Sequence, residues 1–530
     1  MKITKVIHSV LVCGLFILGA QSMSAQKYSD RNDIPDAKKF EANQASLETY
    51  KCPEWFRDAK FGIWAHWGPQ SVPHQGDWYA RNMYIQNYYN KKKKTYTGKP
   101  HNQYIYAKDH YGPQSEFGYK DIIKLWKAQD FNPEKLMKLY KEAGAKYFVS
   151  MGTHHDNFFL WNSKIHRWNS VKMGPHRDIV GDWQKAAKKE GLKFGVSEHL
   201  GASFTWFQTA HGSDKTGKYA GVPYDGNDLK YANLYHTKAM EGDNDWLTKN
   251  TEWQELWYAE IQELIDMYHP DLLYSDSPFP FEEIGCEMVS HLYNSQIDKK
   301  GRTNVVYNCK EDSRGRFVRD MERGIAEGIS KYPWQTDTSI GNWFYKDGDK
   351  YKNSTQIIQM LVDIVSKNGN LLLNIVQSPE GDIEECNIKT LHEIGIWMHD
   401  NGEAIYGTRP WDVYGEGPTT ITKQQHGFHD GIKDVRPYSN KDIRFTTKNG
   451  KLYAFIMDKP DSDIVISALA HKGSKVGFTS KTGVDVKSVR LLNTGKKLNF
   501  TQKKDGTLTI SKPEILPNYA VTVYEIRFKK

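Results

Sequence analysis

Nothing in the 530-residue chain repeats with a fixed period, and no tract is low in complexity. Cysteine is scarce: five residues, scattered without the paired spacing of a zinc site and too few for a disulfide scaffold. No His-Glu-x-x-His helix is present, and no glycine-rich phosphate turn follows the first strand, which weakens a doubly wound nucleotide-binding sheet. No charge sign dominates. The 72 Lys and Arg against 64 Asp and Glu leave +8, diluted along the chain. The densest basic cluster, Lys91 to Lys94, follows Asn90 and reads as a solvated loop. Nucleic-acid binding would want a larger patch or stripe. Apolar runs are short as well. The one at 6–18 follows a basic start and precedes small residues up to Ala25, which reads as a secretory signal peptide over 1–25, not a membrane span.

What remains is globular, rich in aromatics (16 Trp, 31 Tyr) and too long for one core. A polar, mobile segment is expected over 26–45. From 46 the pattern alternates strand and helix. Predicted strands at 61–67, 146–151, 194–199, 271–276, 304–308, 333–338 and 371–375 are interleaved with helices at 133–143, 179–190, 251–267, 284–296, 354–367 and 386–399. Polar residues pile up at the strand ends. That rhythm predicts an irregular (β/α) TIM-like barrel over 46–404. From 405 to 530, short alternating strands between Gly, Asn and Asp turns predict an all-β sandwich.

In such a barrel, a charged residue closing a strand faces the mouth, where the chemistry is done. Asp276 closes Leu272-Leu-Tyr-Ser, and Phe279 and Phe281 follow to wall it from water. It reads as a nucleophile toward a sugar carbon, or more simply as the cap of the next helix. His66, His154, His155 and His199 end different strands at equivalent positions. They are ligands for a transition metal, donors to substrate hydroxyls, or core histidines. His154 and His155 are adjacent, and on a strand they would face opposite ways, which disfavours joint metal ligation. No metal or cofactor is called for.

Six separated blocks then fall into one order: residues 55–73, Asp77-Trp-Tyr79, His154 to Phe158 with Trp161-Asn-Ser163, Pro270 to Asp276, Leu371 to Asn374, and Asn401 to Trp411. Together they resemble the α-L-fucosidases of glycoside hydrolase family 29. The resemblance implies exo-acting, retaining release of terminal α-L-fucose from fucosylated oligosaccharides or polysaccharides, with Asp276 as nucleophile. It places His66, His154 and His155 as ligands of fucose hydroxyls and Trp343 against the sugar's methyl group. Trp67, Asp77, Trp78, His199, Arg323 and Gln335 are further candidates for the substrate pocket.

The chain departs from the family at the second carboxyl. Where many members carry Trp-Glu, this sequence has Trp334-Gln335, and a glutamine cannot serve as proton donor. Glu322 ranks first as acid/base, with Glu311 and Asp337 behind it. Three readings stay open: a fucosidase, a retaining exo-glycosidase for a related sugar such as α-L-galactose, and a sugar-binding protein that has lost turnover.

Overall fold

The computed structural model describes residues 39–90, 93–420, 437–470 and 485–529. The expected signal peptide lies outside them. Of the segment 26–45, Phe40 packs down, buried against Tyr293 at 5.0 Å with its amide donating to Asn294, while 41–45 are exposed.

Eight strands close a barrel: β1 (Phe61–Ala65), β2 (Tyr147–Thr153), β3 (Lys193–Glu198), β4 (Leu272–Ser275), β5 (Val306–Cys309), β6 (Val318–Asp320), β7 (Trp334–Ser339) and β8 (Gly369–Asn374). Their order around the barrel is β1-β8-β7-β6-β5-β4-β3-β2, every pair parallel. Strands such as Phe61-Gly-Ile-Trp-Ala and Leu-Leu-Leu373 are buried end to end, as parallel strands covered on both faces require. The covering helices are α1 (Pro133–Glu142), α2 (Ile179–Glu190), α3 (Thr251–Tyr268), α4 (Glu283–Ser295), α5 (Ser354–Ser366) and α6 (Glu385–Asn401). Their starts follow local chemistry: Asn132, Asp178, Asn250 and Asn353 each cap a helix by accepting a backbone N–H. The irregularity lies at β5–β6–β7, where both connections, 310–317 and 321–333, are loops with no helix. The loops bring polar groups to the mouth.

Beyond the barrel come β9 (Arg409–Glu416), β10 (Ile443–Lys448), β11 (Lys451–Ile456), β12 (Ile464–Ile466), β13 (Val486–Leu491), β14 (Lys497–Leu498), β15 (Phe500–Gln502), β16 (Leu508–Ile510) and β17 (Thr522–Phe528). They form a six-stranded sheet, β9-β10-β11-β17-β13-β14, and a three-stranded sheet, β12-β16-β15. Alternation along β11 explains how the domain docks. Leu452, Ala454 and Ile456 join the core between the two sheets, while Tyr453 and Phe455 face the barrel's own core. At that junction Arg444 of β10 meets Asp363 of α5 at 2.5 Å, with Lys367 on the same carboxylate at 2.8 Å, all three buried. Burial alone would raise the Asp363 carboxyl, but the two cations, Arg444 foremost, hold it below its ordinary value. The carboxylate is the one that balances two buried cations, and its removal takes this counter-ion from both. Asp363→Leu is expected to cost about 3–5 kcal/mol, read by urea unfolding, whereas an unchanged midpoint would show the cluster to be idle.

Candidate functional site

Strand alternation decides what reaches the barrel mouth. On β1, Trp64 and His66 share the inner face. Trp67 turns outward to pack on Trp126 and Phe131, and its indole N–H donates to the Ser378 carbonyl at 2.8 Å. Trp67 is therefore core, not pocket as expected from the sequence. Asn374, at the end of β8, accepts the His66 amide at 2.9 Å and donates to the Trp343 carbonyl at 3.0 Å. That one side chain fixes two pocket residues. The Trp343 ring lies 5.2 Å from His66, with the Arg323 guanidinium 4.8 Å over its face. Phe344, which the sequence did not single out, lies 4.7 Å from His66 and 5.3 Å from His154.

His154 and His155 do converge, contrary to the opposite-face expectation. β2 ends at Thr153, so strict alternation stops before them. Their rings are 4.5 Å apart, and both lie within 5.2 Å of His199. Gln70 fixes the His154 tautomer. Its Oε1 accepts the Ala80 amide, so its NH2 donates to His154 Nδ1 at 2.8 Å. His154 Nε2 then carries the proton and points toward Asp77 Oδ1, 3.7 Å away. His155 donates from Nδ1 to the His199 carbonyl at 2.7 Å. Burial holds His66 and His154 well below the usual imidazole range and lowers His199 too, with Asp276 pulling His199 part of the way back. Neutral, His66 offers one donor and one acceptor to a hydroxyl, and His154 the Nε2–H that Gln70 leaves it. Burial also pushes Asp77 up to about 7. Trp78 stacks on the half-exposed Trp246, and Trp246 lies 5.1 Å from His155 at the rim.

Asp276 stands at the centre. Its amide donates to the Glu198 carbonyl at 2.9 Å, which ties the end of β4 to β3. Oδ2 lies 3.1 Å from His199 Nδ1 and 3.4 Å from His155 Nε2. Oδ1 takes Lys310 at 2.5 Å and the Tyr274 hydroxyl at 3.0 Å. Burial works against the charge, but Lys310 and then His199 keep the Asp276 carboxyl well below the ordinary carboxylate range. Lys310 is in turn held well above its ordinary value: burial opposes, and Asp276 followed by Glu322 overcome it. The sequence reading fixed on Glu311 in the stretch Asn308-Cys-Lys-Glu311 and passed over Lys310.

The three candidate acids fall in different places. Glu322 shares the Lys310 ammonium with Asp276, so two carboxylates face one another across a single nitrogen. Glu311 is turned to Arg316 at 3.2 Å and accepts the Phe279 amide. Asp337 is fully buried below Tyr274, with Oδ2 3.0 Å from the hydroxyl oxygen that also meets Asp276. Burial pushes Asp337 up to about 6 although Lys310 pulls it down. Beneath it, burial and the Asp337 charge lift Asp320 well above a normal carboxyl. Gln335 is inside the barrel, donating to Asp320 at 2.8 Å and accepting from Tyr147 at 2.9 Å. It does not face the histidines. No helix among the described residues is long and apolar enough to cross a membrane.

A sequence profile described as "Alpha-L-fucosidase" matches residues 28–403. Tissue alpha-L-fucosidase of Rattus norvegicus is 28% identical over 525 residues, covering 95% of this chain and 94% of the rat protein. The human tissue alpha-L-fucosidase is 27% identical, covering 95% and 93%. Among solved structures, the Thermotoga maritima alpha-fucosidase in complex with fucose superposes with a TM-score of 0.66 at 27% identity, over 92% of this chain and all of that one. On this evidence of sequence and barrel alike, the chain belongs to the α-L-fucosidase family of glycoside hydrolases.

Proposed function

We propose that the protein releases terminal α-L-fucose from glycans or fucosylated polysaccharides by double displacement, through a covalent bond from Asp276 to the sugar. The observation that carries this reading is the pair of carboxylates on Lys310. Retaining hydrolysis needs one ionised carboxylate and a second carboxyl about 5–5.5 Å away, first acid and then base. Asp276, held ionised by Lys310, suits the first role. Glu322, across the same ammonium, suits the second. For Glu322 to hand a proton to the leaving oxygen, its contact with Lys310 has to break when the sugar binds, leaving Lys310 on Asp276. The neutral ring nitrogens of His66, both buried without a partner, and the Nε2–H of His154 serve the sugar hydroxyls. Trp343 and Phe344 form an apolar wall that favours a C6 methyl over a hydroxyl, and so fucose over α-L-galactose.

The test is an aryl α-L-fucoside followed by proton NMR. The first product detected is expected to be α-fucose, the configuration of the substrate. First release of β-fucose would overturn double displacement, and binding without cleavage would make the chain a sugar-binding protein. The aryl α-L-galactoside should be cut more slowly, by about 10–200-fold for a small-group mismatch in an apolar pocket. Export is part of the same proposal, on the basic-apolar-small start of the sequence. Mass spectrometry of the protein from its own host should then find a mature N-terminus near Gln26, and an intact Met1 would refute it.

A further inference from the structure

His199 lies against the Asp276 carboxylate, yet neither of its ring nitrogens has an aligned hydrogen-bond partner. Its Nδ1 is 3.1 Å from Asp276 Oδ2, and His155 Nε2 is 3.4 Å from the same oxygen, so two imidazole nitrogens and one carboxylate oxygen crowd a common space. All three donor atoms lie within 4.8 Å of one another. Around a tetrahedral zinc with bonds of about 2.0–2.2 Å, neighbouring donor atoms are about 3.3–3.6 Å apart. Two edges of the triangle are near that length. The third closes by rotating the His199 ring, whose nitrogens no other group holds.

The proton positions agree. His155 gives its Nδ1–H to the His199 carbonyl, so Nε2 is the nitrogen it has left for an ion beside Asp276. A second ring nitrogen donating to a backbone carbonyl is the usual support of a metal-bound histidine. His154 is excluded, because Gln70 forces its Nε2 to carry a proton. Lys310 opposes a cation here, but it sits on the other Asp276 oxygen and Glu322 offsets its charge.

We propose that His155, His199 and Asp276 form a binding site for one late first-row dication, Zn2+ for preference, and that the ion competes with the sugar. Two imidazoles and one carboxylate suit Zn2+, Ni2+ or Cu2+, and not the oxygen-seeking Ca2+ or Mg2+. The ion occupies the oxygen and both rings that face the substrate, so it inhibits and takes no part in turnover. The inference goes beyond the hydrolase reading, since it needs only the geometry of the pocket and no activity.

The experiment is calorimetric titration of the full chain with Zn2+ alone, paired with anomalous diffraction at the zinc edge from soaked crystals. One ion is expected, bonded to His155 Nε2, His199 Nδ1 and Asp276 Oδ2. Saturating fucose should weaken its binding, and Ca2+ should give no heat. His199→Phe should lower zinc affinity by at least about tenfold, since even an outer partner of a metal ligand is worth 10–100-fold. Should that variant not fold, the diffraction peak and the fucose competition on the native chain still decide. No peak in the pocket, a peak only at the exposed His392 and His399 of α6, or zinc binding indifferent to fucose would each overturn the site. A zinc peak in a chain that cleaves no fucoside would uphold the site while the hydrolase reading failed, and cleavage without a peak would do the reverse.

Discussion

Asp276→Asn is expected to lower kcat on an aryl α-L-fucoside by roughly 10^3-fold or more, a loss of about 4 kcal/mol of transition-state stabilisation. Asparagine keeps the shape and can still accept from Tyr274, but its amide oxygen is too weak a nucleophile to bond the anomeric carbon. The fold has little reason to suffer. Lys310 retains Glu322 as counter-ion, and the backbone tie from residue 276 to Glu198 is untouched. Circular dichroism and thermal unfolding should therefore match the native chain. The smaller Asp276→Gly opens the same face of the sugar, and azide should enter there and yield β-fucosyl azide, the product of a single displacement. Activity within a few-fold of native for Asp276→Asn would mean that another carboxylate attacks.

The parts of this site legible in the sequence were those that come directly after a regular strand. Asp276 and His66 follow buried apolar runs whose period of two fixes which way each side chain points. The same rule, applied one residue on, would have placed Trp67 outside the barrel. Six of the helices and seven of the strands were readable because each is long enough to show its period. β6 was not: Val318–Asp320 is three residues between two loops, with no helix to frame it. Missing β6 hid the Asp320 and Gln335 pairing and left Gln335 at the mouth, when it belongs to the barrel interior. Lys310 was missed for a related reason. It continues the face of Asn308, whereas Glu311 continues the opposite face, and attention to carboxylates alone left the lysine between them unread. His154 and His155 show the converse limit, because alternation was assumed two residues past the end of their strand.

Glu322→Gln should separate the two halves of the reaction. On a natural glycan the leaving sugar oxygen is a poor one and needs a proton, so kcat/KM should fall by about 10^2–10^4-fold, the usual contribution of a positioned acid. An aryl fucoside with a good leaving group needs no such help in the first step. It should give a burst of phenol equal to the enzyme present, after which turnover stalls because water has lost its base. Azide requires no base: added here, it should restore steady phenol release and produce α-fucosyl azide, the configuration opposite to that from Asp276→Gly. Glutamine also loosens Lys310, which then rests on Asp276 alone, and a lower KM for the aryl substrate would follow if breaking the Lys310 contact is part of sugar binding. Equal losses on both substrates with no azide effect would remove Glu322 from the chemistry. The search would then pass to Glu311, which is solvent-reachable at 41% side-chain exposure, ahead of Asp337, which lies under Tyr274 with 1% of its surface exposed and no path to a leaving group.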